Sequence, residues 1–223
     1  MENQLSEIAT AEERARDHEP RLIVRHTFGV RLIHWWTTLM MLYLVLSGFG
    51  LGYPRMAWIF NILGGGQTVR FMHPWTGLGF VVGLALMMLM WWRPMIFQSV
   101  DRAWFRTIGT YVRTGHTDVD TDEYNGGQKA YFWFEIVSGV LLLISGIPLW
   151  FPDLLPREWN LAGRFTHHAL FLLTVGSLLV HVYLSTVAFP GTFRSMTSGT
   201  VQRAWAAFHH PRWFRRIESK EDR

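Results

Sequence analysis

The chain has 223 residues, of which 49% are hydrophobic, with 12 Trp, 16 Phe and a formal net charge of +4. It contains no cysteine, which excludes disulfides, covalently attached c-type haem and cysteine-ligated iron–sulfur or zinc sites within this chain. The hydrophobic residues are concentrated in a few long runs without charge, and this pattern is typical of a membrane protein.

The chain begins with a charged segment, MENQLSEIATAEERARDHEP, that has no apolar core. We therefore expect residues 1–25 to form a polar N-terminal tail without a cleavable signal peptide. Four apolar segments follow, and each is long enough to cross a ~30 Å hydrocarbon layer as a helix. These predicted spans run from Val30 to Tyr53, from His73 to Trp92, from Ala130 to Phe151 and from Arg164 to Phe189.

Two features refine this prediction. Pro74 fits the first turn of the second span, where a missing N–H group costs little. Residues 94–113 have apolar residues at helical spacing, which predicts a helix in the plane of the membrane interface between the second and third spans.

Lysine and arginine are distributed unevenly among the segments outside the spans. The N-terminal segment through Arg31 has five, residues 93–129 have five and the segment after Phe189 has seven, whereas the two other loops have two each. Since positive charge accumulates on the cytoplasmic side, both termini are expected there. The predicted fold is an all-α membrane protein, a four-transmembrane-helix bundle with both termini inside.

Four histidines fall near the ends of the predicted spans, two on each side. His34 and His181 lie on the cytoplasmic side, and His73 and His167 lie on the outer side. Fourteen residues separate His167 from His181, so the two rings leave nearly the same helix face about 21 Å apart. Because each side of the membrane has two histidines, we expect the pairs His73/His167 and His34/His181 to be axial ligands of two b haems. Haem iron with six ligands transfers electrons rather than activating oxygen.

Other interpretations of the histidines stay open from the sequence alone. An interfacial histidine can be a simple amphipathic anchor, although His181 lies within an uncharged run where a polar ring needs a partner. His168 could replace His167, but its register lies about 100° away from that of His181. The remaining histidines are read as surface groups: His18, His26, His116, His209 and His210.

Arginine precedes three of these histidines by three residues, at Arg31, Arg70 and Arg164. This spacing puts each guanidinium on the face of its histidine, where it could pair with a haem propionate or simply reach towards water.

Glu135 is the one acidic residue inside a predicted span. It is a candidate proton donor to a quinone, or the partner of Lys129 or of a border arginine.

From Ile23 to Glu218 the sequence resembles the cytochrome b (gamma) subunits of membrane-bound formate dehydrogenases. The most specific shared segments are HPWTG at His73, YNGGQK from Tyr124 to Lys129, the His-x13-His spacing of the fourth span, and the tail ending in HHPRWFRRIE. Histidine pairs alone also occur in hydrogenase-type cytochrome b subunits, so the YNGGQK and HHPRW segments favour formate dehydrogenase.

The resemblance implies a function and a set of site residues. Such subunits hold two b haems, receive electrons on the outer face from an iron–sulfur (beta) subunit that serves a molybdenum or tungsten catalytic (alpha) subunit, and reduce menaquinone or ubiquinone near the inner haem. The outer ligands map onto His73 and His167 and the inner ones onto His34 and His181. The quinone site maps onto Asn125 and Gly127, close to His181.

This interpretation predicts three segments and one location. They are a polar tail over residues 1–25, a four-helix membrane cytochrome b domain over residues 26–193 and a basic cytoplasmic tail over residues 194–223. The protein is expected in the bacterial cytoplasmic (inner) membrane, in contact with lipid and quinone and without nucleic acid. The alternatives are a hydrogenase-type cytochrome b subunit, a cofactor-free membrane anchor, or a small ion transporter. A transporter is expected to show broken helices or more buried charge.

Overall fold

The computed structural model describes residues 22–115 and 117–221. The elements in chain order are β1 (Leu22–Val24), α1 (Phe28–Gly52), α2 (Ile59–Ile62), α3 (Gly66–Trp91), α4 (Ser99–Arg106), α5 (Ile108–Thr114), α6 (Gly126–Trp150), α7 (Arg157–Tyr183), α8 (Arg194–Thr197), β2 (Thr200–Gln202), α9 (Arg203–His209) and α10 (Pro211–Glu221). Short turns of 3₁₀ helix follow α1 and α6, and a π-helical turn at Leu184–Ala188 extends α7.

Four of the described helices, α1, α3, α6 and α7, are long and apolar enough to cross a membrane. They pack as a ring in the order α1, α3, α6 and α7, and the α7–α1 side is the sparsest. Large apolar side chains such as Leu89 and Leu173 point outwards, as expected for a surface that faces lipid. The predicted four-helix membrane bundle is confirmed.

The helices begin earlier than the apolar runs suggested. The start of α3 follows Gly64 and Gly65, which have φ values of 85° and 97° that only glycine adopts easily. As a result His73 lies two turns inside α3, and the prediction that Pro74 occupies the first turn is wrong. Pro74 instead leaves the Arg70 carbonyl without its helical N–H donor. Hydropathy marks the apolar layer, not the turns that extend beyond it.

The third and fourth spans also begin earlier than predicted. The third span begins at Gly126 rather than Ala130, because Asn125 and Gln128 form a capping box that satisfies free N–H groups of the first turn. The fourth begins at Arg157 rather than Arg164, directly after Pro156.

The helix predicted between the second and third spans is present as α4 and α5. A capping box formed by Gln98 and Asp101 begins α4. The Asp101 carboxylate also accepts a 2.8 Å ion-pair bond from Lys129 on α6, and both side chains are almost completely buried. This ion pair fastens α4 to the first turn of α6.

Both ends of the described chain meet in one folded unit. The strand β1 pairs antiparallel with β2, with Ile23 opposite Val201. A small core of Ile23, Val201, Ala206 and Trp213 holds α9 and α10 against this ribbon. We call β1, β2, α9, α10 and residues 117–125 the cap; the bundle therefore has a cap end and a far end. The three predicted segments stay a prediction, but residues 22–25 and 200–221 are folded rather than simple tails.

His26 and His210 are buried at the cap, so the prediction that they are surface groups is wrong. His210 is 1% exposed; its Nδ1 donates to the Asp122 carbonyl, and its Nε2 faces the Arg25 guanidinium. Burial and the nearby Arg25 charge lower the pKa of His210 well below its usual value and that of His26 to about 3. His209 is half-buried. His18 and His116 lie outside the described residues.

Candidate functional site

The far end of the bundle brings together His73 on α3 and His167 on α7. Their ring centroids lie 6.3 Å apart. Both rings are half-buried between helices. The structure thus places His73 beside His167, the residue paired with it from their predicted depths in the membrane.

Hydrogen bonds define the orientation of both far-end rings. Ser47 donates its hydroxyl proton to the Tyr43 carbonyl, so its oxygen accepts from His73 Nδ1 at 2.6 Å. His167 Nδ1 lies 3.1 Å from the Leu142 carbonyl and 3.2 Å from Ser145 Oγ, and a carbonyl can only accept. Both rings therefore carry their proton on Nδ1, which leaves the Nε2 lone pair for a metal ion.

The cap end brings together His34 on α1 and His181 on α7, with ring centroids 6.5 Å apart. Tyr131 on α6 stacks on His181 at 4.4 Å with an interplanar angle of 7°, and Trp35 packs edge-on against His34. His34 Nδ1 is buried, and it has no hydrogen-bond partner within the described part of the chain.

The spacing of both pairs fits an ion held between two imidazoles. With a metal–nitrogen bond of about 2 Å and a ring centre about 1 Å behind the nitrogen, two rings that share one ion have centres about 6 Å apart. Within residues 22–115 and 117–221 no cluster of three or more His, Cys, Asp or Glu side chains could hold a bare ion. A metal at either pair would therefore need to bring further ligands of its own, as haem iron does.

The neighbouring histidine His168 faces elsewhere. Its Nδ1 hydrogen-bonds to the Arg164 carbonyl, and its ring lies against Tyr53 and the backbone of Gly52 on α1. The roughly 100° difference in register therefore separates His168 from the far-end pair.

The three arginines that precede the histidines differ in their surroundings. Arg70 and Arg164, at the far end, are exposed. Arg31, at the cap end, is half-buried, and its Nε is a buried donor without a partner in the described residues. Arg31 thus has an unmet requirement for an acceptor, such as a carboxylate.

Glu135 does not pair with Lys129, because Lys129 is bonded to Asp101; that alternative from the sequence is wrong. Glu135 is 7% exposed, and its carboxyl accepts a 2.8 Å hydrogen bond from Ser177 on α7. The Tyr131 hydroxyl, one turn earlier on α6, interacts electrostatically with this carboxyl, and the Tyr131 ring stacks on His181. A chain of contacts therefore joins this carboxyl to the cap-end pair.

The YNGGQK segment forms the turn into α6 rather than a wall of the cap-end pair. Asn125 accepts from the Gln128 backbone N–H at 3.0 Å and donates from Nδ2 to the Tyr111 hydroxyl at 3.3 Å. The Trp104 ring covers Gly127, where an added Cβ would lie 2.7 Å from it. Asn125 lies six residues, roughly 9 Å along the helix axis, from the Tyr131 ring against His181.

Sequence reasoning missed Ser47, Ser145 and Tyr131. Two of them carry a weak signal, since Ser47 and Ser145 each precede a glycine within a predicted span. At Gly146 an added Cβ would lie 3.4 Å from the His167 ring, which is van der Waals contact. Ser138 also precedes a glycine, so this dipeptide alone would not have identified the histidine partners.

Comparison with known proteins agrees with this geometry. The family described as prokaryotic cytochrome b561 matches residues 25–199. The chain is 32% identical over 204 residues to the formate dehydrogenase cytochrome b556(fdo) subunit of Escherichia coli (strain K12), covering 90% of this chain and 96% of that protein. It is 30% identical over 205 residues to the nitrate-inducible formate dehydrogenase cytochrome b556(Fdn) subunit of the same strain, covering 90% and 94%.

A further relative is the formate dehydrogenase cytochrome b556 subunit of Haemophilus influenzae, with 29% identity over 197 residues, 86% of this chain and 82% of that protein. The resemblance drawn from the HPWTG, YNGGQK and HHPRW segments is thereby confirmed. Histidine pairs between helices, four apolar spans and these relatives agree that the chain is a multi-pass membrane protein and belongs to the prokaryotic cytochrome b561 family.

Proposed function

We propose that the chain is the di-haem b electron-transfer subunit of a formate dehydrogenase in the bacterial inner membrane. It would accept electrons from an iron–sulfur subunit, which serves a molybdenum or tungsten catalytic subunit, and pass them to quinone. The observation that carries the proposal is the spacing of two histidine pairs, 6.3 Å and 6.5 Å between ring centroids, on a shared helix. The named relatives favour this over a hydrogenase-type subunit.

His73 and His167 would hold one haem and His34 and His181 the other. Bis-histidine haem supplies a reversible one-electron carrier. The chain's own contribution begins with Ser47, Ser145 and the Leu142 carbonyl, which hold the far-end rings in the tautomer that leaves Nε2 free. The sparse α7–α1 side of the ring is the side best able to admit a flat macrocycle. Arg31, with its unpaired buried Nε, would pair with a propionate.

The charge distribution supports a direction for the electrons. The cap end carries the basic segments, whereas the far end carries Arg55, Arg70, Arg157 and Arg164 alone among the lysines and arginines. The positive-inside rule therefore favours a cytoplasmic cap end, with electrons entering at His73/His167 and leaving at His34/His181. Protons consumed in quinone reduction would come from the cytoplasm, so the reaction would separate charge across the membrane.

The quinone would bind Asn125 and Gly127 at the cap end, near His181. Two donors support this placement. Asn125 Nδ2 has two N–H groups, of which one is used by Tyr111. The Gly127 N–H lies in the first turn of α6, where helix geometry provides no acceptor. Both could donate to a quinone oxygen once Trp104, which packs over Gly127, turns aside.

One assay tests this function and its quinone site together. In the complex with its partner subunits, the haem absorbance is reduced by formate and its reoxidation by a quinone is followed by stopped flow. We expect rapid reoxidation in the wild type, and reoxidation at least about tenfold slower in Asn125→Ala because a donor to the quinone is lost.

The control is Asn160→Ala, since Asn160 caps the far-end loop by bonding to the Pro152 and Leu155 carbonyls. A wild-type complex with no visible b-type absorbance would support the membrane-anchor alternative instead. Normal reoxidation in Asn125→Ala would overturn the quinone site alone.

A further inference from the structure

A carboxyl that the electron route does not use lies in the middle of the bundle. Glu135 is nine residues into α6, about 13 Å along the axis from its first residue, and is 7% exposed. A buried ionisable group in a membrane span is expensive to keep and needs either a counter-charge or a proton.

No counter-charge reaches Glu135 within the described part of the chain. The nearest lysine on its own helix, Lys129, is bonded to Asp101. On the α3 side, the neighbouring turn of α6 at Gly139 packs on Phe80 and Leu84, which are apolar. The titratable groups that face Glu135 are therefore Tyr131 on α6 and, beyond that ring, His181 on α7 with its partner His34.

Ser177 makes the site suitable for both protonation states. Its oxygen lies 2.8 Å from Glu135 Oε1 and 2.9 Å from the Thr174 carbonyl, but a hydroxyl has a single proton. When the carboxyl is ionised, Ser177 can donate to it. When the carboxyl is protonated, it can donate to Ser177, whose proton then turns to Thr174. The Glu135–Ser177 hydrogen bond is kept in both states, and the Ser177–Thr174 bond is added when the carboxyl is protonated.

Tyr131 connects this site to the cap-end pair. Its hydroxyl lies one helical turn from Glu135 and interacts electrostatically with that carboxyl, and its ring lies parallel to that of His181 at 4.4 Å. In a medium of effective dielectric constant about 20, a unit change of charge about 10 Å away changes a proton affinity by about tenfold. The charge held between His34 and His181 would therefore be felt at Glu135.

We propose that Glu135, with Ser177 and Tyr131, is a redox-linked proton site that takes up one proton when the cap-end centre accepts one electron. The inference rests on the proposed function, because it needs a one-electron carrier between His34 and His181. The step is balanced: one electron arrives from the far end, one proton arrives from the cytoplasmic water, and the Glu135 carboxylate becomes a carboxylic acid. No other bond forms or breaks.

The test is a redox titration of the haem-loaded protein at several values between about pH 6 and 8. In the wild type, we expect the midpoint potential of the cap-end component to fall with rising pH. The limit is about 59 mV for each tenfold change in proton concentration, as for a one-electron couple. Glu135→Gln cannot exchange this proton, so its cap-end potential is expected to be independent of pH. The far-end potential is expected to be unchanged.

A second readout follows the carboxyl itself. Infrared difference spectra between oxidised and reduced protein are expected to show a carboxylic-acid band that forms on reduction, shifts in D₂O and is absent from Glu135→Gln. Ser177→Ala is expected to shift this band, since it removes the acceptor of the acid proton. These spectra also test the proposal if Glu135→Gln fails to assemble.

The matched control is Glu158→Gln, which changes an exposed glutamate in the first turn of α7. It is expected to keep the wild-type pH dependence and infrared band. The inference would be overturned by an equal pH slope in Glu135→Gln and wild type, or by a reduction spectrum without the acid band. If both haem spectra were intact in that case, the proposed function would still stand. A wild-type protein without b-type haem would overturn the proposed function as well.

Discussion

The two histidine pairs have similar distances between their rings, but they differ in the hydrogen bonds made by Nδ1. At the far end, Ser47, Ser145 and the Leu142 carbonyl hold both Nδ1 atoms. At the cap end, His34 Nδ1 is buried without a partner among the described residues, and His181 is held by stacking on Tyr131. A ligand that donates its Nδ1 proton is more basic and stabilises the oxidised metal. The comparison therefore predicts a lower potential at the far end, so that electrons run downhill towards the cap.

Loss of a ligand is the largest change that distinguishes the two ends. Since each histidine would be one of the two protein ligands of its haem, His73→Ala is expected to remove the far-end haem alone and His181→Ala the cap-end haem alone. Each variant would retain about half of the wild-type haem, and electron transfer to quinone would fall to background.

Haem per chain, measured as the pyridine haemochrome, checks this prediction. His168→Ala is the control because that ring faces Tyr53, and it is expected to keep the full haem content. Full haem content in either ligand variant would contradict the assignment of that pair.

The second prediction concerns how the cap end is held together. Lys129→Ala would leave the Asp101 carboxylate buried without its cation, because the two side chains are 2% and 3% exposed. Breaking a buried pair by removing one partner destabilises by about 3–5 kcal/mol. We expect a lower melting temperature and faster proteolysis between α4 and α6.

The double variant Lys129→Met/Asp101→Leu removes both charges and is expected to recover most of the stability, since apolar replacements of buried ion pairs are often neutral. A Lys129→Ala protein as stable as the wild type would show that the ion pair does not fasten α4.

The extent to which sequence predicted this molecule differs between its two ends. Long apolar runs identified the spans, and the depths of His34, His73, His167 and His181 gave the correct neighbours, because a helix converts sequence separation into height. The cap was not foreseen. Its strands are three residues each and pair Leu22 with Gln202 across nearly the whole chain, so no local pattern indicates them.

The sequence also could not predict which side chains of different helices contact each other. Ser47 and His73 are 26 residues apart on neighbouring helices, and Asp101 and Lys129 are 28 apart. Their contacts depend on the rotation of each helix about its axis, which apolar periodicity does not define for helices surrounded by lipid. For the same reason the sequence offered Lys129 or a border arginine as a partner of Glu135, and did not indicate Ser177.

A third prediction tests the difference in potentials. Ser47→Ala removes the acceptor of the His73 Nδ1 proton, so the ring becomes less basic and the oxidised state less stable. We expect the far-end potential to rise by up to about 60 mV, as for a tenfold change in a one-electron equilibrium. The cap-end potential is expected to stay constant.

Ser185→Ala serves as the comparison, because that exposed hydroxyl only bonds back to the Val182 carbonyl. A potentiometric titration resolves the two components. An unchanged far-end potential in Ser47→Ala would remove the physical basis for the predicted downhill order.

The last predicted effect is a dependence of the cap on pH, which is absent at neutral pH and develops on acidification. Burial, with Arg25 nearby, lowers the pKa of His210 well below its usual value and that of His26 to about 3. Both stay neutral when folded but take up a proton when unfolded, below about pH 6.5. Stability of the cap is therefore complete above that pH. Below it, stability falls by up to about 1.4 kcal/mol per pH unit for His26, down to its folded pKa of about 3, and His210 acts in the same direction.

Hydrogen–deuterium exchange of β2 and α9 checks this prediction. Protection there, relative to the intrinsic exchange rate at each pH, is expected to fall on acidification, whereas α3 and α6 stay protected. His210→Gln is expected to reduce the pH dependence, and His209→Gln is the neighbouring control. Protection of β2 that does not change between about pH 7 and 5 would contradict this account of the cap.

The central claim is that one helix, α7, presents a ligand to a separate haem at each end of the bundle. The most direct measurement is a dithionite-reduced minus oxidised spectrum of the purified protein, combined with haem per polypeptide. We predict b-type bands, two haems per chain, and two low-spin components that titrate at separate potentials. A protein from haem-replete cells that has no b-type bands, or that binds a single haem, would contradict it.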